Sequence, residues 1–311
     1  MSYCRPASQP LSIVVADPGG GDRLLATLRA MRDARQALPC ELIGVVGGQD
    51  VGVVPLLRQE FPLVHLYQAW GERDLGSLYG IGARAAGGRF LLLLDGSARV
   101  DADAVFEMMA FMEQGTFIAL VAPRLRTPSG GDLSPGRPFP TVGTTVAEFE
   151  GKAATIQAGP RLQHALDRRI TTPKEVEAVT GGCCLVKKQA IDELGAFAKG
   201  YPPGGEILDW CRRARQGGWA VFYHPGLTAQ LVAEEQESPR STATRLKASS
   251  RFLRRHRGLA AVLALDLALA LPILLGLLLG GSGALIPGAH RTGALFTFWR
   301  SWYAAGVLVL G

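Results

Sequence analysis

The sequence predicts an α/β protein with a mostly parallel sheet, followed by a hydrophobic C-terminal segment. Three observations carry this expectation. Short apolar, β-branched runs alternate with helical patterns as far as Tyr223, three of the first four runs stop at glycine or aspartate, and the surplus of apolar residues is concentrated after Gly258.

Leu11–Ala16 is a buried-type strand that runs into the loop Asp17-Pro18-Gly19-Gly20-Gly21. Asp22–Ala37 follows, with Leu24, Leu25, Leu28 and Met31 at helical spacing. Glu41–Val46 reads as the second strand, closed by Gly47-Gly48; Val53–Phe61 as a helix; and Leu63–Tyr67 as a short third strand. Residues 74–87 form a small-residue helix, and Arg89–Leu94 is a fully apolar strand stopping at Asp95-Gly96. Strands that alternate with helices and are apolar on both faces belong in a parallel sheet covered on both sides. Ligands of such sheets bind beyond the carboxyl ends of the strands, which groups Asp17, Gly47-Gly48 and Asp95 around one expected pocket.

Asp101–Met112 is a further helix and Ala119–Pro123 a further strand, and Arg124–Thr144, rich in Pro, Gly and Ser, is expected to be a long loop beside an acceptor. Residues 178–188 form a turn and strand, Gln189–Leu194 a short helix, 200–216 a Gly/Pro loop running into a helix, and Trp219–Tyr223 a final strand.

Of the 311 residues, 48% are hydrophobic and only 19% charged, with a net charge of +6. Cys4, Cys40, Cys183, Cys184 and Cys211 show neither CxxC spacing nor a zinc-type histidine partner, so they are expected to be reduced thiols. The N-terminal apolar run is too short for a signal peptide. The glycines 19 to 21 match neither GxGxxG nor GxxxxGK[ST], which makes them a weak phosphate signal.

Four blocks, in order, resemble the family 2 glycosyltransferases, in particular the rhamnosyltransferase-like branch, across Leu11 to Gly258. They are ARAAGGRFLLLLDGSARVDADAV, VTGGCCLVKKQAIDELGAF, EILDWCRRARQGGWAVFYHPG and SSRFLRRHRG. The resemblance implies a type A nucleotide-sugar transferase fold with a nucleotide-sugar donor. It also implies a divalent cation, Mg or Mn, to neutralise the leaving diphosphate, and a carboxylate base for the acceptor hydroxyl.

The sequence departs from that pattern at several positions. Asp95 remains as a metal or phosphate-side ligand, but Ser97 occupies the expected coordinating position. Ile207 stands where the catalytic aspartate is expected, leaving Glu206 and Asp209, one helical turn apart, as candidate catalytic carboxylates. Gly47 takes the place of a nucleotide-contacting aspartate, and Asp17 is a candidate substitute. The histidine ligand expected after Pro225 is missing, and His224 reads as a packing residue at a strand end. Each position also has a plainer reading. Asp95-Gly96 suits a strand-ending turn, Glu206 suits a helix N-terminus, and Asp209 suits a pair with Arg212 or Arg213.

The expected organisation is a transferase-like domain over 1–240, a basic segment over 241–258, a transmembrane or re-entrant helix over 259–280 and an aromatic interfacial tail over 281–311. The cluster from Arg245 to Arg257 suits anionic lipid and places the main domain on the cytosolic side of the cytoplasmic membrane; nucleic acid is disfavoured because the apolar segment begins immediately afterwards. Two functions follow: transfer of sugar to a lipid-linked or cell-surface glycan, or an inactive scaffold for a glycolipid or a partner membrane enzyme.

Overall fold

The computed structural model describes residues 10–31, 39–48, 52–133, 135–149, 172–233 and 239–278. The chain divides into two compact units, Met1–Phe139 with Arg161–Glu235, and Pro140–Pro160 with Gln236–Gly311. The second unit thus joins a segment from mid-chain to the C-terminal helices, an arrangement that a linear division of the sequence does not anticipate.

The first unit opens with β1 (Leu11–Asp17), α1 (Asp22–Ala30), β2 (Cys40–Gly48), α2 (Val54–Glu60), β3 (His65–Trp70), α3 (Leu75–Ala85) and β4 (Phe90–Leu94). β1 pairs in parallel with both β2 and β4, and β2 with β3. β1 and β4 are buried along their whole length, as expected for strands covered on both faces. Helix α3 packs closely through Gly82, where a Cβ would come 2.2 Å from Val14 Cγ1.

After β4 come β5 (Ala98–Val100), α4 (Ala102–Glu113) and β6 (Ile118–Arg126). The stretch expected to be a long loop is not structureless. Short strands β7 (Asp132–Leu133) and β8 (Gly136–Arg137) lie in it, and α5 (Val142–Phe149) begins before its end. Asp132 draws the turn back through ion pairs with Arg124 and Arg126, both at 3.1 Å. Alternating charge at this spacing brings the strands together, a signal that the high Pro and Gly content hid.

The rest of the unit contains β9 (Lys174–Glu175), β10 (Ala178–Val179), β11 (Cys183–Lys187), α6 (Lys188–Leu194), α7 (Gly205–Gln216) and β12 (Ala220–Leu231). Among the described residues the main sheet has ten strands, ordered β3-β2-β1-β4-β11-β6-β12-β5 with β7 and β9 at its margins, and β10 pairs with β8. β11 enters antiparallel between β4 and β6, so the sheet is mixed. That reversal brings the start of β11 to the carboxyl end of β4, with Cys183 opposite Leu94. β12 extends well past the expected end at Tyr223, and its register breaks between His224 and Thr228, where Pro225 cannot donate to the ladder.

The second unit contains α5, α8 (Pro239–Arg257) and α9 (Leu259–Leu278). Thr141 and Thr144 cap α5 reciprocally, each backbone N–H donating to the other's hydroxyl. Gly258, at φ 84°, separates α8 from α9. Leu253, Val262, Leu265 and Leu269 form one apolar cluster, with Val142 and Val146 of α5 against it. The helix expected over 259–280 runs to Leu278, but its side chains are described only as far as Ala270. Among the described residues no helix is long and apolar enough to cross a membrane. The aromatic tail lies outside the described residues.

Candidate functional site

The carboxyl ends of β1, β2 and β4 lie side by side, and onto the same edge come the β10–β11 turn, Gly181-Gly182, and the N-terminus of α7. The sequence candidates meet very different fates on this edge.

Asp17 is buried and committed to the fold. Its Oδ1 accepts from Gly19 N–H at 2.8 Å, and its Oδ2 accepts from Arg23 N–H at 2.8 Å and Leu24 N–H at 3.1 Å. It fastens the glycine loop to the first turn of α1, satisfying N–H groups a helix start leaves open. Both oxygens of the expected nucleoside contact are thus engaged by backbone donors of its own loop and helix.

Gly47 is a place of close backbone approach. Glu72 carbonyl oxygen accepts from Gly48 N–H at 2.8 Å, and a Cβ on Gly47 would lie 2.4 Å from that oxygen. An aspartate here has no room without displacing the loop after β3. Gly47→Asp is therefore expected to lower stability by about 2 kcal/mol or more, measured by urea unfolding, without creating donor affinity. A stable variant with new donor affinity would show that the loop yields and that the pocket tolerates the acid.

Asp95 is half-buried beyond β4, and its Oδ1 accepts from Ser97 N–H at 2.9 Å and from Ser97 hydroxyl at 2.5 Å. Ser97 in turn faces Gly182: a Cβ on that glycine would stand 3.0 Å from Ser97 Oγ, and its φ of 102° also favours glycine. Asp95 and Ser97 thus form one closed turn packed under the start of β11.

Glu206 is the distinctive group. It lies in the first turn of α7 and is 1% exposed; its Oε1 accepts from Gly204 N–H at 3.2 Å, and its Oε2 is buried with no hydrogen-bond partner. Burial pushes its pKa up to about 8. Backbone N–H groups at the helix start pull the other way, while the carboxylates of Asp95 and Asp74 push it further up. Gly181 lies against it without a clash: a Cβ there would stand 4.0 Å from Glu206 Oε1, an ordinary contact distance. Neighbouring Ile207 is fully buried and fills the core.

Asp209 is a structural residue. It is fully buried, accepts from Tyr201 hydroxyl at 3.2 Å and pairs with Arg213 Nε at 3.0 Å. Arg213 also donates to the carbonyls of Leu194, Gly195 and Ala196, and Trp210 Nε1 donates to Gly195 carbonyl. Phe197 packs between Tyr79 and Trp210. These contacts tie down the loop from Gly195 to Gly204 that delivers Glu206. Asp209, a candidate catalytic carboxylate, has both oxygens engaged by Tyr201 and Arg213 in holding this loop. His224 packs edge-on against Phe111, and burial lowers its pKa.

Two members of the site escaped the sequence reading. Asp74 caps α3, accepting from Ser77 N–H at 2.9 Å and Ser77 hydroxyl at 2.8 Å. Burial works to raise its pKa, but these donors and the backbone N–H of Gly200 hold it below the ordinary value. Tyr79, fully buried on α3, is pushed well up by burial and by Asp95 and Glu206. The Asp-x-x-Ser spacing marks 74 as a cap, but nothing local places it beside Glu206.

These residues offer a divalent cation few ligands. Asp95 already spends one oxygen on Ser97, and no group of three or more His, Cys, Asp or Glu suited to a metal occurs among the described residues.

No family model and no curated protein matches the chain. Among solved structures it is similar to GalNAc-T7 with UDP, GalNAc and Mn2+, at 15% identity and a TM-score of 0.55, over 80% of this chain and 48% of that one. The chain therefore spans about half the length of that protein. It is also similar to the mannosyltransferase PcManGT from Pyrobaculum calidifontis in complex with GDP-Man and Mn2+, at 11% identity and a TM-score of 0.53, over 98% of this chain and 89% of that one. At such identities the likeness shows the fold alone, an α/β architecture shared with these two proteins.

Proposed function

We propose that this chain is a family 2 glycosyltransferase that moves a sugar from a nucleotide-sugar donor to a lipid-linked or cell-surface glycan, with Glu206 as the base. The observation that carries the reading is the buried Glu206 carboxyl, raised to about 8, with one oxygen unpartnered on the carboxyl edge of the sheet. Groups tuned toward neutrality on such an edge suit general acid–base work.

In the proposed step the acceptor hydroxyl oxygen bonds to the anomeric carbon as the bond from that carbon to the diphosphate oxygen breaks. The hydroxyl proton passes to Glu206, and the nucleoside diphosphate leaves with the bonding pair. Asp95 and Ser97 lie on the diphosphate side as a positioning turn, and Asp74 and Tyr79 set the field around the base. The enzyme works from the cytosolic face of the cytoplasmic membrane, held there through 259–280, which confines it to the surface carrying a lipid-linked acceptor.

A second reading has observations in its favour. Asp17 and Asp209 are engaged by the fold, Gly47 has no room for an acid, and no cluster of three or more His, Cys, Asp or Glu suited to a metal occurs among the described residues. These fit a scaffold that keeps the fold and binds a glycolipid or a partner membrane enzyme without turnover.

Calorimetry against UDP-, GDP- and dTDP-sugars separates the two. The transferase reading expects saturable binding of one donor, with its Kd changed by less than about threefold on adding Mg²⁺ or Mn²⁺, because the carboxylates do not converge on a cation. No binding by a folded chain favours the scaffold. Binding that strictly requires the cation overturns the reading of Asp95 and Ser97 as a closed turn.

A further inference from the structure

The second unit carries a surface that sugar transfer does not use. α8 contains no Asp or Glu, and its exposed positions include Lys247, Arg251, Arg254, Arg255 and Arg257. At about 100° per residue the first four fall on one stripe spanning roughly a third of the helix. The opposite face, with Leu246, Phe252 and Leu253, is buried.

α9 has a different pattern. Val262, Leu265 and Leu269 are buried in the shared cluster, as a helix packed on its neighbours requires. The water-facing side is apolar as well: Leu259, Leu263 and Leu267 are 53%, 56% and 65% exposed, and Ala260 and Ala264 between them are also exposed. Three leucines at i, i+4 and i+8 form a ridge over two turns, with the partly buried Asp266 at its border. A helix whose exposed side carries three large leucines and a single acid at its border is poorly suited to water. Isolated exposed leucines are ordinary, but a ridge of them marks an interaction surface.

We propose that the second unit docks on an anionic lipid surface, the Leu259–Leu263–Leu267 ridge of α9 entering the acyl boundary and the basic stripe of α8 lying at the phosphates. The charge selects this occupant. An apolar protein partner explains the ridge but not an adjoining helix with only positive charge, and nucleic acid explains the charge but not the ridge. Anionic lipid presents both chemistries in adjoining layers. Gly258, at φ 84°, breaks one continuous rod into two helices, so that the basic and apolar faces belong to one folded unit. The attachment in the proposed function thereby gains named residues in its described part, independent of how residues 279–311 are arranged.

The test uses the full chain, diluted from mild detergent and floated with vesicles of phosphatidylcholine, alone or with about one quarter phosphatidylglycerol. No donor is present, so its failure leaves the transferase reading intact. The wild type is expected to float with the anionic vesicles in a salt-sensitive manner. The triple variant Lys247→Gln, Arg254→Gln, Arg257→Gln is expected to partition on the order of a hundredfold more weakly to anionic vesicles and unchanged to neutral ones. The triple variant Leu259→Ser, Leu263→Ser, Leu267→Ser is expected to lose at least about tenfold on both. All six positions are exposed, so the variants should unfold at the wild-type temperature, which is checked directly. Leucine variants that float like wild type overturn the inference, as does a charge variant that retains full binding. Concentration-dependent self-association in sedimentation, abolished by the leucine changes while vesicles bind nothing, assigns the ridge to a second copy of the chain and overturns it too.

Discussion

Glu206→Gln removes sugar transfer while leaving the protein folded: kcat falls by about 10² to 10⁴, the range of a lost general base. Glutamine keeps the shape and the acceptor for Gly204 N–H but takes no proton. The wild type should follow a pH–rate profile rising through about 8, since the base is active only when ionised and burial holds it protonated below that point. Stability should change in the opposite sense. The folded pKa lies above that of the unfolded chain, so the native state holds a proton that the unfolded state has released between about 4.5 and 8. Stability supplied by the neutral carboxyl is complete below the lower value and is lost as pH rises toward the upper one. Glu206→Gln abolishes that loss, gaining up to about 3 kcal/mol at pH 7. Chemical unfolding at pH 5 and pH 8 reads this directly: a variant no more stable at either pH refutes the raised carboxyl, and one that retains full transfer removes Glu206 as the base.

Asp209→Ala is expected to do the reverse, costing about 3 to 5 kcal/mol because Arg213 is left without its carboxylate partner in a buried setting. The damage extends to the loop from Gly195, whose carbonyls Arg213 gathers. Per folded molecule, transfer measured well below the lowered Tm should stay within about tenfold of wild type, since Trp210, through Gly195 carbonyl and Phe197, still holds the loop that delivers Glu206. Asp209→Asn, which keeps an acceptor for Tyr201, should lose less stability than alanine. An unchanged Tm with abolished transfer would return Asp209 to the chemistry.

Much of the parallel half of the fold was legible from local pattern. Leu11–Asp17, Cys40–Gly48 and Phe90–Leu94 are buried strands because β-branched and leucine runs bounded by Gly and Asp have no other way to bury both faces. The antiparallel half was harder. β5 is three residues long, β7 and β8 two each: β7 forms where Arg124, Arg126 and Asp132 meet, β8 by pairing with β10, and β5 because β12 continues beyond its proline. Such short segments have too few residues for a period to show.

The site divides in the same way. Sequence alone determined which residues stand at the carboxyl edge, because Asp17, Gly47 and Asp95 end strands whose apolar runs set their length, and it determined that Glu206 opens a helix after a glycine loop. Only the tertiary structure decided which of the carboxylates is available. Asp17 and Asp209 spend their oxygens on donors from α1 and from Tyr201 and Arg213, whereas Glu206 keeps Oε2 unpartnered while its Oε1 takes Gly204 N–H. The physical reason is that a carboxylate's chemistry depends on the donors and charges around it in space. For Glu206 those come from β4, α3 and the β10–β11 turn, which are distant along the chain and meet only when the sheet closes.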